Sequence, residues 1–410
     1  MKNIVVLYCP PFRNVTFPVH IIQNLKEYRF FILLIEADFD HNKKFIELDC
    51  IENVIPLKFE IDHLVSVCDE ITTKYGIINN FIYLAEECVR LCGMLRKHYG
   101  ISPENLDRFL DKDLMVEKLR GAGVRVPMGV LFDDAKYQQD KEKYLQEIEY
   151  NLSQYPFFIK PSNLCGSVGT SIVANRDELI NWVQQKANHS YLIQEYLDGK
   201  LFHCESFIKN RQTLYSSVFE YSTPGFFFSK GSPVGSISLP ANDLLAQRIS
   251  RFTENVLQKL GTIENGVAHV EIFLNRDDEL IFLEAAARPP GLAGDLLYQK
   301  HLNIPINEAH LLLQLGEYNY DFSKLKIHNY AARYIFPIPS DGCITKFSNK
   351  IKINSAFTES FLIKTGDEVR KSSDLFNVAG TMVLWNKDYA ALRKDFIALK
   401  DCIPFEIQEI

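Results

Sequence analysis

The chain has 410 residues, 47% of them hydrophobic and 24% charged, the balance of a folded protein of two to three domains rather than a disordered one. Acidic residues outnumber basic ones, 52 to 45, for a net charge of −7, which argues against a grip on nucleic-acid phosphates. Ile4 to Leu7 is too short an apolar run for a signal sequence or membrane span, and nine scattered cysteines without a C-x-x-C pair fit a reducing cytoplasm.

Strands are predicted at Ile4 to Leu7, Phe30 to Ile35, Asn53 to Leu57 and Phe81 to Leu84, with helices at Ile21 to Tyr28, His63 to Tyr75 and Glu86 to Tyr99. Strands spaced by helices make a parallel, doubly wound sheet. Cys9-Pro10-Pro11 stands after the first strand in place of a G-x-G-x-x-G turn, so a dinucleotide-binding reading is weak. A short helix from Asp111 to Arg120 stops at Gly121 and Gly123, with Pro127 beyond. Tyr137, Tyr144, Ile148 and Leu152 trace one face of a charged helix. Strands follow at Phe157 to Lys160, Ser171 to Ala174, Tyr191 to Tyr196, Phe202 to Ile208 and Leu214 to Tyr221. Leu244, Ile249, Phe252, Val256 and Leu260 mark a long amphipathic helix that ends near Gly261. Strands over 267–275 and 279–287 come next, then helical segments to about Leu315, then a smaller strand-rich lobe finishing in a helix.

Three segments carry chemistry. In F-F-I-K-P-S-N-L-C-G-S-V-G-T-S-I-V (157–173) a strand delivers a solvent-facing Lys160 ahead of a Gly166-Ser167-Val168-Gly169 loop. Glycines let backbone N–H groups approach an anion, and the lysine adds point charge for phosphate. The G-K-[ST] ending of a Walker loop is missing, and a Gly/Ser hairpin loop beside a surface lysine fits the same residues. With few apolar residues, 160–175 is expected to move when no nucleotide is bound. Next, Leu192 to Gly199 reads as a strand ending in a turn, whose backbone edge can hydrogen-bond a purine; judged by itself, the segment favours an ordinary strand and turn. Last, the segment from Val267 to Arg288 folds as a hairpin about Asp277-Asp278, setting Glu271 opposite Glu284. Ala268, Val270, Ile272 and Leu274, with Ile281, Leu283 and Ala285, form its core face; His269, Glu271 and Phe273, with Phe282, Glu284 and Arg288, form the other. Carboxylates facing each other at ~5 Å repel, so they share a proton or a cation, and oxygen ligands suit Mg²⁺. A solvated edge hairpin is the alternative.

Taken in order, D-K-D-L-M-x-E-K-L-x-x-A-G-V-x-V-P, F-F-I-K-P-S-(x)₃-G-S-V-G, I-Q-E-Y-L-D-G and H-V-E-(x)₁₂-E-x-x-x-R-P-P-G resemble the ATP-grasp superfamily. They look like its carboxylate–amine (or thiol) ligases, the L-amino-acid ligases among them, over about residues 75 to 315. The resemblance implies an α/β (α+β) ATP-grasp fold: an N-terminal doubly wound pre-ATP-grasp domain over 1–105, the ATP-grasp domain over 106–325, and a small C-terminal strand-rich lobe over 326–410. It further implies that Lys112 and Lys160 hold the phosphates of ATP while the loop of Gly166, Ser167 and Gly169 closes over them. Gln194, Glu195 and Leu197 would line the adenine pocket, Glu271 and Glu284 would hold Mg²⁺ or Mn²⁺, and Arg288 would be the catalytic residue facing the transferring phosphoryl group.

Two positions depart from the family pattern. Ala286 stands where an Asn usually supplies a further metal ligand, and Leu201 where an acidic residue often holds the ribose. His203 is a substitute for the latter, or a histidine satisfied within its own strand. The implied reaction joins a small carboxylate, an amino acid above all, to an amine through an acyl phosphate, releasing ADP and phosphate; Glu220 and His269 are candidate bases. Partners are small molecules, not nucleic acid or membrane, with room for a homodimer. A carboxylase or formate-type enzyme of nucleotide metabolism and an inactive nucleotide-binding module are the alternatives. Joint retention of Lys112, Lys160, Glu271, Glu284 and Arg288 argues against the inactive module. Substrate pockets are expected from the N-terminal domain, the loops near Thr223–Gly235 and the C-terminal lobe.

Overall fold

Four apolar runs pair as a parallel sheet in the order β3-β2-β1-β4: β1 Lys2–Tyr8, β2 Tyr28–Ile35, β3 Ile51–Leu57 and β4 Ile78–Tyr83. The computed structural model describes residues 1–8, 18–35, 51–57, 60–162, 164, 166–347 and 352–409; the Cys9-Pro10-Pro11 turn lies outside them. Parallel strands are covered on both faces, which is why Val5–Tyr8 and Phe30–Leu34 are apolar throughout and buried. Helices Ile61–Tyr75 and Glu86–His98 pack on one side, and Leu311 of helix Ile306–Leu315 packs against Ile4, Val6, Ile32 and Ile82 on the other. The helix expected over 21–28 is only Val19–Ile22. The amides of Asn24 and Leu25 donate to the carbonyls of Ile21 and Ile22, turning the chain so that Tyr28 enters β2 beside Lys2.

A second four-stranded sheet has the order β5-β8-β6-β7, from β5 Gly129–Leu131, β6 Phe157–Pro161, β7 Ser171–Val173 and β8 Tyr191–Glu195. The charged helix predicted nearby is two, Asp134–Gln139 and Lys141–Leu152. Asp140 breaks it, because its side chain caps the second helix by accepting from the Lys143 amide at 3.1 Å.

The largest sheet has eight strands in the order β13-β12-β9-β10-β11-β14-β18-β16. They are β9 Gly199–Lys209, β10 Gln212–Tyr221, β11 Val234–Ser238, β12 Gly266–Asn275, β13 Leu280–Ala286, β14 Tyr330–Phe336, β16 Ala356–Phe361 and β18 Gly380–Asn386. The last three lie beyond residue 325, so that stretch extends the central sheet rather than forming a lobe of its own. Among the described residues of that stretch, only β15 Gly342–Phe347, β17 Glu368–Val369 and β19 Phe405–Gln408 form a separate small sheet, and the last described element is β19 rather than helix Tyr389–Ala398.

One face of the large sheet is closed by the amphipathic helix Leu244–Leu260. Its Ile249, Val256 and Leu257 share a core with Cys204, Val270, Ile272 and Phe282. Helix Gly294–Leu302 packs Leu297 and Tyr298 on Phe207 and Phe219 of the other face, leaving the rest of that face open to a cleft. The β12–β13 hairpin sets Glu271 opposite Glu284, with a bulge between Glu271 and Ile272. The bulge reverses the predicted alternation through Ile281 to Leu283 of β13: Phe282 enters the core, Ile281 packs instead with Leu201 and Phe273, and Leu283 turns toward the cleft. The turn is fixed by Asn275, whose Oδ1 accepts from the amides of Asp277 at 3.0 Å and Glu279 at 2.8 Å.

Candidate functional site

Most of the residues singled out from the sequence share one cleft. Lys112, Lys160, Gly166, Ser167, Gln194, Glu195, Leu197, Glu271, Glu284 and Arg288 all line it. Gly169 stands behind the loop, close against Pro161, with a positive φ of 68°. His203 is not in the wall.

Lys160 is not solvent-facing as expected: it is 5% exposed. Burial, with Lys112 adding to it and Glu284 opposing, pushes its pKa down to about 8. Lys112 opens helix Lys112–Gly121; its Nζ donates to the Leu164 carbonyl at 2.7 Å and lies 3.5 Å from Glu284 Oε2. Burial works to raise the Glu284 pKa, but Lys112 and Lys160 outweigh it and bring it down to about 2. Glu271 Oε1 accepts from the Tyr221 hydroxyl at 2.7 Å and lies 3.5 Å from His269 Nε2. The repulsion expected between the two opposed glutamates is therefore offset within the protein by two lysines and a histidine. Two register-opposed carboxylates that keep oxygens on the cleft fit a hard divalent ion.

Behind Glu271 lies a network that the sequence reading missed. Glu205 Oε1 accepts from His203 Nδ1 at 2.7 Å and from His269 Nδ1 at 2.6 Å, and its Oε2 accepts from the Tyr298 hydroxyl at 2.7 Å. Burial lowers the His269 pKa, but hydrogen bonds to Glu205 and Glu271 outweigh it and raise it to about 9. His203, buried and facing Phe219 at 5.0 Å, is shifted down by that burial. Ligand-type atoms of His203, Glu205 and His269 lie within 4.8 Å of one another, but three donors already occupy the Glu205 oxygens, so we read the cluster as a hydrogen-bonded network. This corrects the ribose assignment of His203, which is buried outside the cleft wall with Nδ1 held by Glu205 and Nε2 left without a hydrogen-bond partner among the described residues. The H-x-E spacing at 203–205 was the available signal: on β9 it puts both side chains on the face carrying His269 and Glu271.

Other assignments shift in detail. The Glu195 carboxylate turns away, accepting from Arg125 at 2.9 Å and from the Met128 amide at 2.7 Å, so its backbone is what β8 offers at the cleft. Gln194 Nε2 is buried without a partner, a donor left for a ligand. Leu201 lines the cleft where an acid was looked for. Glu220 is locked by Arg393 at 2.7 and 3.0 Å, with Lys200 at 3.5 Å; it lies outside the cleft wall and is no base. Arg288 is clamped by Glu86, which accepts from Nε at 3.0 Å and from Nη2 at 2.8 Å, so the N-terminal layer reaches the site at Glu86, with Glu87 beside it in the cleft wall. Arg333, a residue the motifs do not mark, enters the wall from β14.

Comparison with known proteins gives a consistent picture. Residues 119–303 match the model of the D-ala D-ala ligase C-terminus. D-alanine–D-alanine ligase of Natranaerobius thermophilus is 26% identical over 270 residues, 64% of this chain and 69% of that protein. The L-arginine-specific L-amino acid ligase of Bacillus subtilis is 24% identical over 249 residues, 58% of each chain. Among solved structures, L-amino acid ligase from Bacillus licheniformis superposes with a TM-score of 0.76 over 100% of this chain and 99% of its own, at 18% identity. N5-carboxyaminoimidazole ribonucleotide synthetase from Thermotoga maritima gives 0.66 at 15% identity over 100% of both chains. Among the described residues, no helix is long and apolar enough to cross a membrane.

Proposed function

Since the chain belongs to the ATP-grasp superfamily, as an enzyme of its carboxylate–amine ligase type, we propose that it joins an amino acid or similar small carboxylate to an amine through an acyl phosphate, releasing ADP and phosphate. The observation that carries this reading is the convergence, in one cleft, of two buried lysines, two register-opposed glutamates and an arginine. Phosphoryl transfer needs position and charge neutralisation more than a protein nucleophile, and that is what these side chains supply.

In this scheme a carboxylate oxygen of the first substrate attacks the γ-phosphorus of ATP, and the bond to the β,γ-bridging oxygen breaks to leave ADP. The amine of the second substrate then attacks the acyl carbon and expels phosphate, giving up its proton to solvent or phosphate. Lys112 and Lys160 neutralise the phosphates, Gln194 Nε2 and the β8 backbone take the base, and Arg288, held by Glu86, faces the acyl phosphate. Glu271 and Glu284 would hold Mg²⁺ or Mn²⁺, whose charge, when bound, offsets that developing on the phosphoryl oxygens. His269, pinned between Glu205 and Glu271, keeps the Glu271 carboxylate in place. Hydroxylamine trapping during turnover tests the reading: a hydroxamate of the first substrate with stoichiometric ADP is expected. AMP and pyrophosphate would overturn the acyl phosphate, and nucleotide binding without any substrate-dependent ADP would leave a binding module.

A further inference from the structure

We infer that one of the two joined substrates carries a bulky apolar side chain, seated at the end of the cleft walled by Val234, Ile335, Leu292 and Leu375; this rests on the ligase reading above. The register sets it out. Along β10, β11 and β14, Tyr221 pairs with Ser236 and Ser236 with Arg333, a polar row, and one step along on the same face Val234 pairs with Ile335. Val234 and Ile335 cluster with Phe228 and Val378, and Leu292 and Leu375 pack against that cluster while lining the cleft.

The polar groups bordering this end are already engaged. The Tyr221 hydroxyl donates to Glu271. Arg333 donates through Nε to Ser236 Oγ and through Nη1 to the carbonyls of Gly291 and Leu292. A cationic side chain entering here would lose water and meet the Arg333 guanidinium instead of a counter-charge; Arg333 would pair with an anionic one only at the polar row, and beyond that row an apolar group covers apolar wall. The wall is also set in advance. Leu292 and Ala293 hold left-handed φ values of 47° and 62°, an unfavourable backbone for such residues, and Arg333 ties down the loop that carries them. β11 stands three strands from β12, which bears Glu271, or about 14 Å at sheet spacing. About 7 Å of extended two-residue backbone and a leucine- or phenylalanine-length side chain span that gap, so the apolar side chain is the part of the product farther from the reacting atoms.

The test is ADP release over pairs drawn from Gly, Ala, Asp, Lys, Leu and Phe, with the wild type, Leu375→Asp and Leu375→Met. In the wild type, pairs containing Leu or Phe should exceed the matching Ala pairs by about 30-fold or more in kcat/KM, the discrimination several methylenes give in an apolar pocket. Leu375→Asp should cost the apolar pairs at least about tenfold and swing preference toward Lys; Leu375→Met should behave as wild type. Turnover confined to small or charged pairs, or a phenylalanine preference unmoved in Leu375→Asp, overturns the inference and leaves the ligase standing. No ADP with any pair overturns the ligase reading and this inference with it.

Discussion

Because burial draws Lys160 down to about 8 while its free counterpart titrates near 10.4, the empty site loses this charge above pH 8, before an ordinary lysine would. Nucleotide phosphates favour the ammonium, so binding above pH 8 has to take up a proton. The expected result at pH 9 is uptake approaching one proton per ADP, read from binding heats in buffers of different ionisation enthalpy, with affinity falling as pH rises; Lys160→Met should abolish the uptake. Glu284 has the opposite sign. Its folded pKa of about 2 lies below its ordinary 4.5, so its contribution is in place above 4.5 and is lost as pH falls toward 2. Lys112 and Lys160 are what its charge serves in the empty protein. Glu284→Gln should therefore lower stability at neutral pH, by about 1–3 kcal/mol in a urea titration, and slow turnover at least about 10²-fold. Simple repulsion between Glu271 and Glu284 predicts the reverse for stability, so an unchanged or raised urea midpoint would count against this account of the pair.

At the scale of elements, what could be read in advance was what repeats. Strict alternation in Ala268, Val270 and Ile272, with polar turn residues between the strands, set Glu271 opposite Glu284. One extra residue at the bulge left no trace in that alternation and reversed Ile281, Phe282 and Leu283. β11 escaped notice because V-G-S-I-S holds a glycine that reads as loop; a Cβ on Gly235 would lie 2.5 Å from Tyr334 Cε1, so close packing explains the residue. The motif residues converge because they lie on strands, at the start of helix Lys112–Gly121, or in the loops that leave the strands at the cleft. Arg333 and Tyr221 were hidden because they join through β10–β11–β14 pairing, which no local pattern encodes. The glycine loop shows the same limit. Its composition suggests free movement, yet the Leu375 amide donates to the Gly166 carbonyl at 3.3 Å, and a Cβ on Gly166 would meet Phe376 at 2.9 Å. Gly225 lies equally close to Ser167 Oγ, 2.9 Å from where its own Cβ would be. A loop held from two sides should exchange its amides slowly even without nucleotide. Phe376→Ala is expected to speed exchange across 166–170 about tenfold or more while leaving β6 and β8 protected. Equal exchange in both proteins would mean that the loop's own turn, with Thr170 Oγ donating to the Ser167 carbonyl at 2.8 Å, is sufficient.

For the whole molecule, the question is what ties the parallel N-terminal sheet to the rest, since Glu86 must reach Arg288 from it. Gln314, buried on helix Ile306–Leu315, spans that junction. Its Nε2 donates to the Tyr83 carbonyl at 2.8 Å, its Oε1 accepts from Arg96 at 2.8 Å, and its backbone carbonyl accepts from Asn80 at 2.7 Å. Gln314→Ala removes these side-chain links, with a third from the Tyr83 amide to Oε1 at 3.4 Å, and leaves Arg96 bonded to the Phe81 carbonyl, while the backbone link to Asn80 survives. Stranded buried polar groups of this kind cost about 2–4 kcal/mol in sum. The loss should be local in its first effect. Amides of β1, β2 and β4 should exchange faster by a larger factor than those of β9, β10 and β12, because the Gln314 partners Asn80, Tyr83 and Arg96 lie in β4 and the helix packed beside it. The functional consequence follows from which wall moves. ATP contacts are expected from Lys160, Gln194 and the glycine loop, which sit on the β5–β8 sheet, so nucleotide affinity should hold within about twofold of wild type. The Glu86 clamp on Arg288 crosses the loosened junction, so kcat/KM for the carboxylate substrate should fall about tenfold or more. Uniform acceleration of exchange across both sheets, or equal losses in nucleotide and carboxylate binding, would show that the two layers unfold and act as one unit and that Gln314 is no hinge between them.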